Sequence, residues 1–571
     1  ESELTKNFLN TSAFHESTPD ERRRHGPPLP MLCVWTQQES EDYYKCRACV
    51  CGNFADKDPT QQSWTAQAEP SSLLASLKIG RVEGWDTSKH DVKGAFLNAK
   101  LPEGRLVIVR PPDIWVQWGI VKEGTCWTLE KAVYGLRESP ALWSAERDSQ
   151  LRKLEWCVGN KTYYLRCCPS DSQVWLLTEK GDASNKLRGI LVVYVDDFLL
   201  QTKAGPMRDA FLAALGKVWT LDKEQTLAVG SPFTFLGIEM VMQKNGNILL
   251  HQKQFIDSLL DKYGLSRFKG NSTVQIDKLP EEDIPSAADL KKLQTHSGEF
   301  NWLATRTRCD MSYYTSLLAS ACTKNCKWSL DLAQKILRYL AATRDQGIMI
   351  TCTGSLSDLI AWSDAGFAGA DTKSQSGLVI CWGGTIIVWR SSKQTVSTLS
   401  TAEAELNAAS LAWQIVEGVR LLINDLGIEV KSARLLIDNK AALTIAQCGA
   451  TWRTRYFAVR GHRLHEEHAN GRAQLEHCKT DVMLADALTK LAPSSVLATL
   501  HEAMHGEGAV LADVASSAKP VAVASSVRKD DREVHFQGWA DEITSAPPSA
   551  KADEEFFDCV DSSAERTRKA A

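Results

Sequence analysis

Between residues 31 and 263, short apolar runs rich in Val, Ile, Leu and Tyr alternate with polar turns, a pattern that predicts β-strands. The clearest case is Gly189 to Tyr194 followed by Phe198 to Leu200, two apolar runs broken only by Asp196 and Asp197. It reads as a buried β-hairpin with acids at its tight turn. Between 286 and 343 the period becomes helical, as in Leu332 to Leu340. From 356 to 491 the order reads strands, a long helix, strand, helix, strand and a final helix, an α/β layout. Within that stretch Gly377 to Trp382 and Thr385 to Trp389 flank Gly383-Gly384 as a hairpin. A helix with apolar positions at Ala408, Leu411, Ile415, Val419 and Leu422 follows and stops at Gly427. Residues 1–30 are polar, with a charged run from Asp20 to Arg24 and prolines at 27, 28 and 30, and read as a linker. From 496 to 571 Ala, Ser, Val and charges dominate, which predicts a disordered tail whose removal after about Leu500 leaves function intact. The expected units are therefore 1–30, 31–265, 266–350, 355–495 and 496–571.

Composition adds exclusions. At 571 residues the chain is too long for one core. Apolar residues at 43% and charged residues at 24% exclude collagen-like, fully disordered and membrane classes. No run reaches the roughly 18 uncharged apolar residues that span a bilayer, so no membrane partner is expected. The start, Glu1-Ser2-Glu3, is neither a signal peptide nor an initiator methionine, which predicts an intracellular piece of a longer precursor. The net charge is −4, and residues 511–571 alone hold 12 acids against 8 bases. The rest is formally neutral and free to carry local basic grooves. Sixteen scattered cysteines predict reduced thiols, and Cys46, Cys49 and Cys51 lack a fourth ligand for tetrahedral zinc.

Asp196 and Asp197 repel each other and stay ionised cheaply only beside a cation, and a divalent metal ion is the obvious one. An Asp-Asp pair also suits an ordinary surface turn, but buried flanks argue against that. Tyr194-Val195-Asp196-Asp197 resembles the signature of reverse transcriptases. Asp91-Val-Lys-Gly-Ala-Phe96-Leu-Asn resembles the first palm motif of copia elements, and Leu129-Glu-Lys131-Ala-Val-Tyr134-Gly135-Leu136-Arg137-Glu-Ser-Pro140-Ala-Leu-Trp143 a second copia segment. Phe235-Leu236-Gly237-Ile238-Glu239 resembles the strand that grips the primer end, and Tyr44-Lys45-Cys46-Arg47 the basic fingers strand. Together these segments cover about residues 44–345 and, with the acids of the α/β stretch below, the chain resembles the reverse transcriptase plus ribonuclease H region of a copia-type LTR retrotransposon Pol polyprotein.

The resemblance implies an α+β polymerase palm and fingers with a helical thumb or connection, followed by an α/β ribonuclease H-like domain. It implies two Mg²⁺ ions per active site, with Mn²⁺ as the alternative. In the polymerase, Asp91 and Asp196 would bridge both ions and Asp197 would support them. Two ions roughly 3.5–4 Å apart activate the primer 3′-hydroxyl and stabilise the leaving pyrophosphate. Phe96 is expected against the sugar 2′ position of the nucleotide, the alternative being a core aromatic. Arg47 is expected at the triphosphate, the alternative being a solvated strand residue. Tyr134 and Gly135 would floor the nucleotide pocket, although Tyr-Gly is also a common turn.

In the α/β stretch, Asp364, Glu405, Asp438 and Asp486 each end an apolar strand or begin a helix, so all four can converge at one sheet edge. Their order resembles the ribonuclease H set, which implies a second two-metal site that attacks RNA phosphodiesters with water. Glu403 competes with Glu405, but Ser400-Thr-Ala-Glu403 has capping-box spacing, which gives Glu403 a structural task. Ser391-Ser-Lys393-Gln394 also resembles copia elements. Arg453-Thr-Arg455-Tyr-Phe-Ala-Val-Arg460-Gly-His462 departs from the copia pattern at half its positions, and Ala99 replaces a glycine. No protease, zinc-knuckle or integrase motif is found.

The implied function is RNA-directed DNA polymerase with ribonuclease H activity. The implied partners are an RNA template, a DNA primer, dNTPs, RNA–DNA hybrid and other parts of the polyprotein. The implied location is cytoplasmic, in a virus-like particle, or nuclear. The rival reading is a decayed or domesticated copy that only binds nucleic acid, against which all seven acids are retained; a ribonuclease H alone would not need the polymerase motifs.

Overall fold

The computed structural model describes residues 3–37, 44–55, 64–184, 186–276, 282–283, 285–368, 373–449, 452 and 458–507. After a helical turn at Leu4–Leu9, the chain forms β1 (Phe14–Glu16), α1 (Pro19–His25), β2 (Leu29–Gln37), β3 (Tyr44–Val50), α2 (Pro70–Val82), β4 (Asp86–Asp91), β5 (Ile108–Arg110), α3 (Asp113–Gln117) and β6 (Trp127–Leu129). Strands β1-β6-β5-β2-β3 make the fingers sheet. From residue 3 onward the expected linker at 1–30 is folded. Leu4 and Phe8 are buried in the fingers core, and Phe14 stacks on Trp127 at 4.1 Å. Helix α1 is fixed by a capping box: Thr18 Oγ1 accepts from the Glu21 N–H, and the Glu21 carboxylate accepts from the Thr18 N–H at 2.7 Å. A few apolar anchors among polar residues hold this segment, and average composition hides them.

The palm follows with α4 (Ser139–Lys153), β7 (Glu155–Val158), β8 (Lys161–Cys167), β9 (Val174–Glu179), β10 (Gly189–Tyr194), β11 (Asp197–Thr202), α5 (Pro206–Val218) and β12 (Gln225–Thr226). Its sheet runs β12-β4-β11-β10-β9-β8-β7. The unbroken apolar run of β10 has a physical cause. Leu191 and Val193 face α4 and α5 with Trp143, Leu151 and Phe211, whereas Ile190 and Val192 face α2 on the other side. Covered on both faces, the strand has no reason to alternate.

The hairpin β13 (Phe233–Phe235) and β14 (Ile238–Met242) continues into β15 (Ile248–His251) and the helices α6 (Lys253–Lys262), α7 (Ala287–Ala304), α8 (Ser312–Ala321) and α9 (Cys326–Ala342). These helices share one core, so the expected boundary at 265 cuts through it, since Ile256, Leu259 and Leu260 of α6 belong with α7 to α9. Strand β16 (Gly347–Ile350) then returns to pair with β15 in the sheet β13-β14-β15-β16, so 347–350 is not part of the helical unit.

The last layer contains β17 (Leu359–Gly366), β18 (Gln375–Trp382), β19 (Thr385–Lys393), α10 (Thr401–Asp425), β20 (Ala433–Ile437), α11 (Lys440–Cys448), α12 (Ala458–Ala469), β21 (Ala473–His477) and α13 (Ser494–Met504). The sheet order is β19-β18-β17-β20-β21, with β17, β20 and β21 mutually parallel. This is the expected ribonuclease H-like arrangement. The Gly383-Gly384 turn has φ of 54° and 79°, as a two-residue hairpin loop demands. This layer is not separated from the palm: α2 and the palm strands share one apolar core with β17, β18 and α10. Nor is 496 the start of a tail. Helix α13 buries Leu497, Leu500, Ala503 and Met504, and His501 joins a buried network described below. Residues 508–571, the rest of the expected tail, lie outside the described residues.

Two candidate active sites

The palm register brings the first set of acids together. β4 and β11 pair antiparallel with Asp91 opposite Asp197, and β10 meets β11 with Tyr194 opposite Asp197. Val195 and Asp196 make the turn. Val195 has φ of 52°, a left-handed conformation that a β-branched residue adopts only when its surroundings impose it. The imposing groups are Trp143 Nε1 and the buried Arg147 Nη1, which donate to the Val195 carbonyl at 2.7 and 3.2 Å. Arg147 is itself held by Asp148 and Gln173.

Burial first, and then Asp196 and Asp197, raise the Asp91 pKa to about 6. Burial also raises that of Asp196. Such a cluster is short of positive charge, which fits a divalent cation and its preference for carboxylate oxygen. Asp197 already has a partner, Lys89 Nζ at 3.0 Å, which also donates to the Thr234 carbonyl of the β13–β14 hairpin at 3.2 Å. Asp91, Asp196 and Asp197 do not close into one tight set.

Phe96, Tyr134 and Arg47 are brought together beside these acids. The Phe96 ring meets Tyr134 edge-on at 4.9 Å, and the Arg47 guanidinium lies 5.8 Å from the Tyr134 ring. Phe96 is half-buried rather than enclosed. Gly135 has a structural cause for its identity: φ is 92°, and a Cβ there would lie 1.9 Å from the Val50 carbonyl oxygen. The expected fingers strand (β3) thus locks onto the Tyr134-Gly135 turn, Val50 N–H donating to Tyr134 O at 2.8 Å.

The second set of acids is tighter. Parallel pairing of Ser363 with Ile437 puts Asp364 and Asp438 side by side, and the turn Leu484–Leu488 brings Asp486 in. Oxygens of Asp364, Asp438 and Asp486 lie within 4.8 Å of one another, the one set of three so close among the described residues. Gly377 allows the approach, since a Cβ there would meet Thr489 Cγ2 at 2.5 Å and Ala485 O at 2.8 Å. Glu405, on the first turns of α10, completes the site. Burial and then Asp364 and Asp438 raise its pKa to about 10, and its Oε2 is buried without a hydrogen-bond partner. Burial and Asp486 raise Asp364 as well. An orphaned carboxylate oxygen among three acids fits a divalent cation. Ser400 caps the helix, its Oγ accepting from the Glu403 N–H at 3.2 Å, while the Glu403 carboxylate accepts from the Leu399 N–H at 2.8 Å instead of folding onto Ser400.

Several residues at the sites escaped sequence reasoning. Lys89, Arg147 and Thr489, which donates to Asp364, act through segments distant in sequence. Lys490, 2.9 Å from Asp486 Oδ1, had a readable signal in its i,i+4 spacing. Arg460 bonds Asn407, which in turn bonds Gln394, so part of the divergent 453–462 motif faces α10; residues 453–457 lie outside the described residues.

With the geometry in place, comparison with known proteins is informative. The family model for "Reverse transcriptase (RNA-dependent DNA polymerase)" matches residues 19–277. The Pol polyprotein of transposon TNT 1-94 from Nicotiana tabacum is 25% identical over 484 residues, 81% of this chain and 35% of that protein. The Pol polyprotein of transposon RE2 from Arabidopsis thaliana is 26% identical over 485 residues, 81% of this chain and 31% of that protein. The Ty1-NL2 Gag-Pol polyprotein of Saccharomyces cerevisiae is 23% identical, over 74% of this chain and 24% of that one. The chain spans about a third of the length of the first two relatives. A foamy viral protease–reverse transcriptase solved with double-stranded DNA aligns over 83% of this chain and 68% of its own at a TM-score of 0.48 and 14% identity, too loose a likeness to argue from.

Proposed function

We propose that this chain, whose residues 19–277 belong to the reverse transcriptase family of copia-type Pol polyproteins, is an RNA-directed DNA polymerase that also cleaves the RNA of RNA–DNA hybrids. The observation that carries this reading is the pairing of two acid clusters, one on the β10–β11 hairpin and one at the edge of the β17–β20 sheet. Asp91 and Asp196 would hold Mg²⁺ in the first, and Asp364, Glu405, Asp438 and Asp486 in the second. When bound, the ions supply Lewis-acid activation of the attacking oxygen and charge neutralisation at the phosphorus. The protein's own part is to position. Arg147 and Trp143 fix the turn that presents Asp196, Lys89 ties Asp197 to the β13–β14 hairpin that would hold the primer end, and Phe96 with Tyr134 borders the sugar of the incoming dNTP. Arg47 supplies positive charge toward the triphosphate. In the nuclease, Thr489 orients Asp364.

The unmodified chain with Mg²⁺ should extend an oligo(dT) primer on poly(rA) and cleave the RNA of a preformed hybrid. Retained binding of both with neither reaction would favour an inactive nucleic-acid-binding copy.

A further inference from the structure

One positive charge belongs to the nuclease cluster itself. Lys490 follows Asp486 by one helical turn, and its Nζ lies 2.9 Å from Asp486 Oδ1. Asp486 is one of the three acids whose oxygens fall within 4.8 Å of each other, so the ammonium sits at the mouth of the set. The charges facing it from packed elements are Asp364 of β17, Asp438 after β20 and Glu405 of α10, all acidic. The Lys490 side chain is 48% exposed. It is therefore ion-paired at its head with one acid and half-exposed to solvent. Glu405 Oε2, deeper in the site, receives nothing from it.

An ammonium paired with a carboxylate competes with a metal ion for that acid's charge, and the two cations repel. A nucleic-acid phosphate offers the ammonium an alternative partner just outside the acids. We propose that Lys490 is the resident counter-cation of the nuclease site, holding Asp486 until a hybrid docks and then moving onto a backbone phosphate, so that substrate binding and metal loading favour each other. The proposal deepens the nuclease reading and rests on it. Such coupling is reciprocal: what the hybrid does for the metal, the metal does for the hybrid.

The test is calorimetric titration of the full chain with Ca²⁺, with and without a short RNA–DNA hybrid, in an Asp196→Asn background that quiets the polymerase site. Recovered hybrid is run on a gel to verify that it is intact. Without hybrid, Lys490→Met should bind Ca²⁺ about tenfold more tightly than its parent. The hybrid should raise affinity in the parent and do so by less than about twofold in Lys490→Met. Lys490→Arg, which keeps the charge, should behave as the parent, and Lys490→Gln repeats the test should Lys490→Met lower the thermal transition. Unchanged or weaker Ca²⁺ binding in both neutral variants, with folding intact, overturns the proposal. Asp438→Asn separates the failures. If it abolishes binding while Lys490→Met changes nothing, the proposal alone falls; if it too changes nothing, the nuclease metal site falls with it.

Discussion

Phe96 meets Tyr134 edge-on and stays half-buried, which leaves part of its ring to face a nucleotide sugar. Phe96→Ala should therefore raise ribonucleotide incorporation relative to dNTP incorporation by about tenfold or more, about 1.4 kcal/mol of lost discrimination. A ratio that stays put while synthesis continues would make Phe96 core packing only. At the two acid clusters the residue-scale prediction concerns charge. Glu405 is held neutral to about pH 10 and Asp91 to about 6, both above the ordinary carboxylate range. The folded state thus binds more protons than the unfolded one above about pH 4, so these acids cost increasing stability as pH rises through 4 toward their folded values. Without metal, the thermal transition should fall from pH 6 to pH 8, and Mg²⁺ should raise it more at pH 8 than at pH 6. Glu405→Gln, which removes the cost of keeping that carboxyl protonated without changing shape, should stabilise the metal-free protein at pH 8 by about 1 kcal/mol or more. Equal Mg²⁺ increments at both pH values would contradict the charge account. Asp196, Asp197, Asp364 and Asp438 are legible because apolar strands flank or carry them, and Glu405 because it opens a helix, whereas Asp91 ends a polar strand and is marked only by the resemblance of its motif. Lys89 and Arg147 are not legible, because their partners depend on register and packing between distant segments.

At the scale of elements, α13 is the part most misjudged from composition. Its Leu497, Leu500 and Met504 lie on one helical face at spacings of three and four, and that periodicity outweighs the surrounding Ala and Ser. Its other anchor is polar. Asp310 is fully buried, paired with Arg308 at 2.7 Å, and accepts from Tyr339 at 2.5 Å, with His501 of α13 at 3.3 Å. Arg308, and then His501, hold the Asp310 carboxyl well below the usual range despite its burial. Leu500→Ala should cost about 2–5 kcal/mol in chemical denaturation. Truncation after Glu507 should leave the thermal transition where it is, whereas truncation after Pro493 should lower it and weaken both activities. Equal behaviour of the two truncations would show that α13 is dispensable. The N-terminal segment repeats the lesson, since Leu4, Phe8 and Phe14 are enough to seat it. Conversely, the β10–β11 and β18–β19 hairpins were legible because turn chemistry and apolar runs agree locally.

Over the whole molecule, the palm and the last α/β layer share a core, and α2 lies between them. Lys78 of α2 is fully buried and donates to the Thr351 carbonyl at 3.0 Å, Thr351 Oγ1 at 2.7 Å and the Thr353 carbonyl at 2.5 Å. Burial lowers its pKa to about 8. No sequence pattern marks such a lysine, because its partners lie more than 270 positions away. Lys78→Met keeps the volume but strands three acceptors, so it should lower stability by about 2–4 kcal/mol. Loss of polymerase and nuclease activity on heating should coincide in the parent and remain coincident in this variant; separate losses in the parent would contradict a shared core.

A common scaffold carrying two acid clusters makes the proposal of two chemistries at two sites directly testable. Asp196→Asn and Asp438→Asn each remove one ligand charge with little change of shape, and each is assayed for primer extension on poly(rA) and for cleavage of a preformed RNA–DNA hybrid alongside its thermal transition. The account predicts that Asp196→Asn loses extension by at least about a hundredfold and keeps cleavage, that Asp438→Asn does the reverse, and that both melt near the parent. A cleavage defect in Asp196→Asn as large as that in Asp438→Asn, with folding intact, would contradict it.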